Sequence, residues 1–148
     1  MDELDLRIRN HLYASFVRDG RAQTVSEAAA ELDLPDRGVA DAFRRLHDAH
    51  ALVLQPDGDA IRMLNPFSAV ETSYRVESGN RSWFANCAWD ALGILGALHA
   101  DGRVDAACPD CGEQLELEVR RGELIRGREL LVHFVVPARR WWDDIVFT

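Results

Sequence analysis

The 148-residue chain contains no lysine, so arginine is its only strong base. Its 17 arginines stand against 25 acidic residues, which gives a net charge of −8. Phosphate contacts supply most of the non-specific affinity for nucleic acids, and an acidic chain makes few of them. We therefore expect no nucleic-acid partner; only a local basic patch would reverse this.

Long hydrophobic runs are also missing. No stretch of about 18 apolar residues is present, which argues against a membrane-spanning helix and a membrane partner. The first ten residues, MDELDLRIRN, are acidic and lack the apolar segment of a secretory signal, so we expect a cytoplasmic protein. In a reducing compartment, three cysteines indicate metal binding or thiol chemistry more than structural disulfides.

Residues 1–65 predict a winged helix-turn-helix-like domain. Apolar residues recur at helical spacing from Leu4 to Phe16, and Thr24 to Glu27 form a capping box that opens a second helix. A third helix follows Leu34-Pro35, and residues 52–64 predict a hairpin. If the third helix read DNA, it would present Arg37, Arg44 and Arg45 beside three aspartates. We favour a structural role for it.

Residues 66–148 predict a second, α+β domain that begins at Asn65-Pro66. Short strands are expected at 72–76, 82–84, 104–107, 115–119 and 131–136, with a solvated loop at 120–128. A helix should run from about Cys87 to His99, and Pro137 should be the first residue of a final helix. The fold class is therefore α+β, in which the helical unit precedes a small, mostly antiparallel sheet with flanking helices.

Cys87 and Asp90 form the first candidate site. Residues three apart on a helix share a face, so the thiol and the carboxyl group should be neighbours. A cysteine in the first helical turn lies at the positive end of the dipole, which predicts a lowered pKa. The carboxyl group could hold or deliver a proton. The alternative is a buried small residue beside a capping aspartate.

Cys108 and Cys111, in the stretch CPDC, form the second candidate site. Two cysteines separated by two residues are half of a zinc or soft-metal site. Cys87, His99 and His133 are the candidates to complete it. A free dithiol in a surface turn is the alternative. Farther along, the pair Trp141-Trp142 could line a pocket or close the core.

Several segments together resemble the organomercurial (alkylmercury) lyase family. They are NPFSAVETSYRV, the run WFANCAWDALGIL, the cysteine knuckle and LVHFVVP followed by WWDDIVF. The resemblance implies cleavage of carbon–mercury bonds by protonolysis with two cysteines and one aspartate. Cys87 matches the first catalytic cysteine and Asp90 the aspartate, while Cys108 matches a cysteine regarded as structural. It also implies that the helix-turn-helix unit does not read DNA.

The family's second catalytic cysteine follows the segment that matches WWDDIVF, and the sequence ends at Thr148. We therefore expect capture of a soft metal or organomercury ligand at Cys87 and Asp90, with much slower cleavage by Cys87 alone. No cofactor is required; mercury would be substrate or product, and zinc could occupy Cys108 and Cys111. Two alternatives stay open: a metal- or thiol-responsive winged-helix regulator, and a catalytically silent relative with a structural metal knuckle.

Overall fold

The computed structural model describes residues 1–146, and three helices open the chain. Helix α1 spans Glu3–Asp19, α2 spans Val25–Leu32 and α3 spans Asp36–Asp48. A capping box holds the start of α1, and Gly20 ends it in the left-handed conformation at φ 71°. The predicted capping box of Thr24 and Glu27 begins α2. Local hydrogen-bonding signals therefore set these helix boundaries as the sequence indicates.

One antiparallel sheet of eight strands carries the rest of the fold, in the order β1-β2-β3-β5-β4-β6-β7-β8. The strands are β1 (Val53–Leu54), β2 (Ile61–Leu64), β3 (Phe67–Ser68), β4 (Tyr74–Ser78), β5 (Arg81–Ala85), β6 (Gly102–Ala107), β7 (Gln114–Arg120) and β8 (Glu123–Arg126). The predicted α+β class, with helices first and an antiparallel sheet after them, is confirmed. Because β2 pairs with β3, the sheet continues across the expected domain boundary at Asn65-Pro66. The division into two domains stays a prediction.

The core joins the first helices to the sheet. Phe16 of α1 stacks on Phe67 of β3 with ring centroids 5.1 Å apart, and the indole of Trp83 donates to the carbonyl oxygen of Phe16 at 3.2 Å. A fourth helix, α4 (Ala88–Ala97), packs against β4 and β5 and buries Ile94 and Leu95. This packing fixes the start of α4 relative to the first three helices.

The C-terminal part departs from the sequence-based expectation. Residues 131–136 do not form the expected strand, because β8 follows the left-handed residues Arg121 and Gly122 and takes the sheet edge beside β7. The expected loop at 120–128 was therefore also wrong. A 3₁₀ helix follows at Ala138–Asp143, with Pro137 as its N-cap instead of its first residue. Within residues 1–146, each helix is too short or too polar to cross a membrane.

Candidate functional site

Cys87 and Asp90 meet at the start of α4. Cys87 is the N-cap, in an extended conformation at φ −152°, and its sulfur accepts the backbone N–H of Asp90 at 3.5 Å. Both side chains are half-buried and line the same cavity of about 240 Å³. The structure thus brings together the thiol and the carboxyl group that the sequence places one helical turn apart.

Aromatic side chains from the C-terminal segment cover this cavity. The ring of Phe134 meets that of Trp89 at 6.2 Å and that of Trp141 at 5.3 Å, and all three residues line the cavity. Trp141 donates its indole N–H to the carbonyl oxygen of Val136 at 3.0 Å. From the apolar segment expected as a strand, Phe134 lines the cavity, together with Trp141, Ile145 and Val146 farther along the chain.

Trp142 has a different position from its neighbour. Its ring stacks on the imidazole of His50 with centroids 3.9 Å apart and an interplanar angle of 6°. His50 follows the end of α3, so this contact attaches the C-terminal segment to the helical unit. Of the tryptophan pair, Trp141 lines the cavity and Trp142 anchors its cover.

Asn86 positions the carboxyl group of Asp90, and the sequence analysis did not identify it. Its amide nitrogen donates to Asp90 Oδ2 at 3.1 Å, to Asn65 Oδ1 at 3.0 Å and to the carbonyl oxygen of Pro66 at 3.3 Å. Tyr13 of α1 donates its hydroxyl to the carbonyl oxygen of Asn65 at 2.7 Å. In the sequence, the only indication that Asn86 belongs to the site was its position directly before Cys87.

Burial raises the pKa of the Cys87 thiol above its ordinary value. The backbone N–H groups of Asp90 and Trp89 lower it, but the negative charge of Asp90 opposes them. The expectation of a lowered pKa was therefore wrong, because the effect of burial on the thiol outweighs that of the backbone N–H groups at the start of α4. Near neutral pH, Cys87 carries a proton that it must lose when it binds a metal.

Burial also raises the pKa of Asp90, while hydrogen bonds from Asn86 and Cys87 act in the opposite direction. The carboxyl group is therefore a proton carrier closer to neutral pH than an exposed aspartate. A thiol that must release a proton and a carboxyl group able to receive and return it share one cavity. This arrangement suits general acid–base chemistry on a ligand bound to sulfur.

Cys108 and Cys111 lie in the turn between β6 and β7. The turn is closed by hydrogen bonds from Cys108 N–H to the carbonyl oxygen of Glu113 at 2.8 Å and from Gly112 N–H to that of Cys108 at 2.9 Å. Cys108 is half-buried and Cys111 exposed. The pKa of the Cys108 thiol is lowered, chiefly by the backbone N–H of Cys111. The N–H of Asp110 and the thiol of Cys111 act in the same direction.

The sequence left open whether other ligands complete this pair. Within residues 1–146, no three His, Cys, Asp or Glu side chains converge on a point that could hold a metal ion. His99 lines a separate hollow beside β7 and β8, and His133 is exposed. A closed zinc site needs four ligands, so the described part of one chain does not fit zinc at Cys108 and Cys111.

Comparison with known proteins gives one family. The model of the MerB family, described as alkylmercury lyase, matches residues 67–148. Among solved structures, the mercury-bound form of MerB2 is similar, with a TM-score of 0.67 and 27% identity. The match covers 85% of this chain and 60% of that one, so the chain spans less than two thirds of the length of this structural relative. No curated protein sequence matches the chain.

Proposed function

This chain belongs to the alkylmercury lyase family, and we propose that Cys87 captures an organomercury cation that Asp90 then cleaves by protonating its carbon. The observation that carries the proposal is the pairing of the two side chains, one helical turn apart, in one covered cavity. The similar solved structure is a mercury-bound form, which supports binding of mercury by this fold. The two residues and the cleavage step are our assignment.

Capture exchanges a proton for the metal. The cation R–Hg⁺ is soft and prefers a thiolate, so the mercury–sulfur bond forms as the Cys87 proton leaves. Asp90 lies one turn along the helix, and its carboxylate accepts that proton. The rings of Trp89, Phe134 and Trp141 offer an apolar surface for the organic group R and exclude water from it.

Cleavage returns the proton to carbon. The electron pair of the carbon–mercury bond takes the proton from the Asp90 carboxyl group, the hydrocarbon R–H departs, and Hg(II) stays on sulfur. A second thiolate raises the electron density on the metal and hence on the departing carbon. Cys87 is the one thiol lining the cavity within residues 1–146, so an added thiol supplies the second sulfur in the assay below.

We infer that the N-terminal helices support the cavity instead of reading DNA. Arg44 of α3 forms ion pairs with Asp41 and Asp59, and Arg45 pairs at 2.7 Å with Asp5, whose side chain is 2% exposed. Two of the three arginines available for phosphate contacts are thus paired within the chain. A gel shift with the protein's own promoter at low salt, with and without Hg(II), tests this inference; a shift contradicts it.

The test of cleavage measures benzene released from phenylmercuric acetate in the presence of excess thiol. The starting protein is the variant with Cys108→Ser and Cys111→Ser, which we call the single-thiol variant because Cys87 is its only cysteine. It should release benzene. Adding Cys87→Ser should abolish capture and release. Asp90→Asn should capture phenylmercury more slowly, because the Cys87 proton then passes to solvent, and it should release no benzene. Release that survives Cys87→Ser overturns the proposal.

A further inference from the structure

The dithiol of Cys108 and Cys111 lies outside the cavity and takes no part in the proposed cleavage. The two cysteines are three residues apart in one tight turn, which the hydrogen bond from Gly112 N–H to the carbonyl oxygen of Cys108 closes at 2.9 Å, so both thiols belong to the same short loop. Cys111 is exposed and Cys108 half-buried, which leaves the pair accessible from solvent. Two adjacent, accessible sulfurs are the donor set that a thiophilic metal ion requires.

The backbone holds this pair in place before any ion arrives. Strands β6 and β7 are paired from Gly102 and Val119 up to Ala107 and Gln114, and the turn continues directly from that last pair. The two hydrogen bonds that close the turn involve the backbone of Cys108 itself, and Gly112 adopts the left-handed conformation at φ 74° that the turn requires. Little conformational freedom is lost when both sulfurs bind one ion.

The number of ligands selects the kind of ion. Zinc takes four ligands in structural sites, and in the described part of the chain no third His, Cys, Asp or Glu side chain joins the two sulfurs. Hg(II), in contrast, is satisfied by two thiolates. We propose that Cys108 and Cys111 form a second, separate binding site for a two-coordinate thiophilic metal ion, with Hg(II) as the ion it fits.

Binding at this site is an exchange of protons for metal. One Hg(II) ion forms two mercury–sulfur bonds and displaces the protons still held by the two thiols, which pass to solvent. Nothing is oxidised or reduced. The site does not depend on Cys87, so it can be tested in protein that lacks the cavity thiol.

The experiment titrates the Cys87→Ser variant with mercuric chloride under reducing-agent-free conditions. It follows the ultraviolet absorbance of mercury–thiolate bonds, the number of reactive thiols and the mass of the native protein. We expect one ion per chain with loss of both reactive thiols. Cys111→Ser on this background should weaken binding by roughly a hundredfold because the second sulfur is lost. Asp110→Ala, the matched control within the same turn, should bind unchanged.

Three outcomes overturn the proposal. Two ions per chain show that each sulfur binds alone, and one ion shared by two chains shows an intermolecular site. Stoichiometric zinc uptake by the same variant shows that further ligands complete a four-coordinate site. Because Cys87 is absent here, each of these results leaves the benzene-release test of the cavity unaffected.

Discussion

Replacing Asn86 with alanine removes the amide that donates to Asp90 Oδ2 at 3.1 Å. A hydrogen bond to a charged group contributes about 1.5–3 kcal/mol, and because Asp90 is half-buried we take about 2 kcal/mol. At about 1.4 kcal/mol per tenfold change, this is roughly 30-fold in the ionisation of Asp90. The loss destabilises the carboxylate, so the pKa of Asp90 rises above its already raised value.

The expected loss of benzene release depends on pH. This dependence distinguishes a role of Asn86 in holding the Asp90 carboxylate from a general loss of folded structure. Asp90 must be ionised to accept the Cys87 proton, so the acid limb of the rate profile should move to higher pH. On that limb, benzene release by the single-thiol variant carrying Asn86→Ala should fall roughly 30-fold, and the deficit should shrink as the pH rises.

The assay measures single-turnover benzene release from phenylmercuric acetate with added thiol across the pH range. The matched control is Asn80→Ala, the same substitution in the exposed turn between β4 and β5. Circular dichroism melting of both variants monitors folding. An acid limb that stays in place, or a loss of equal size at every pH, would refute the assigned role of Asn86.

Two other predictions concern the cysteines and the packing of the sheet. Because burial raises the pKa of Cys87 and N–H donors lower that of Cys108, iodoacetamide should modify Cys108 near neutral pH and Cys87 only as the pH rises. Peptide mass mapping over pH measures both rates, and identical profiles contradict the assignment. A Cβ atom on Gly102 would lie 2.4 Å from a backbone carbonyl oxygen of β4 and 2.5 Å from Leu95 Cδ2. Gly102→Ala should therefore lower the free energy of unfolding in urea by about 2–3 kcal/mol, whereas Gly58→Ala, in open space, should change it by under about 0.5 kcal/mol. Equal effects of the two substitutions would show that this packing is not tight.

Local sequence signals predicted the first half of the fold well. The capping box of Thr24 and Glu27 and the helical spacing from Leu4 to Phe16 depend on residues only three or four apart, and the structure confirms both elements. The pairing of Cys87 with Asp90 is also local, because the side chain of an N-cap residue lies against the backbone of the third helical residue, here Asp90.

The features that the sequence did not predict correctly depend on contacts between distant parts of the chain. An apolar segment such as 131–136 has the same pattern whether it pairs in a sheet or covers a cavity, and only the position of β8 decides between these states. Burial raises the pKa of Cys87, and the cavity that holds its thiol is lined by residues as distant in the sequence as Met63 and Phe134, so the sign of the pKa shift could not be read from α4 alone. Likewise, Asn86 acquires its role through Asn65, 21 residues earlier in the sequence.

The most direct test of the account uses the single-thiol variant, phenylmercuric acetate and deuterium oxide. Intact-mass spectrometry should first show one phenylmercury group on Cys87. Addition of thiol should then release benzene carrying one deuterium, delivered by Asp90 after exchange with solvent, while mercury without phenyl stays on the protein. The roles of Cys87 and Asp90 are contradicted if Cys87 forms no phenylmercury adduct, or if Asp90→Asn releases benzene as fast as the parent.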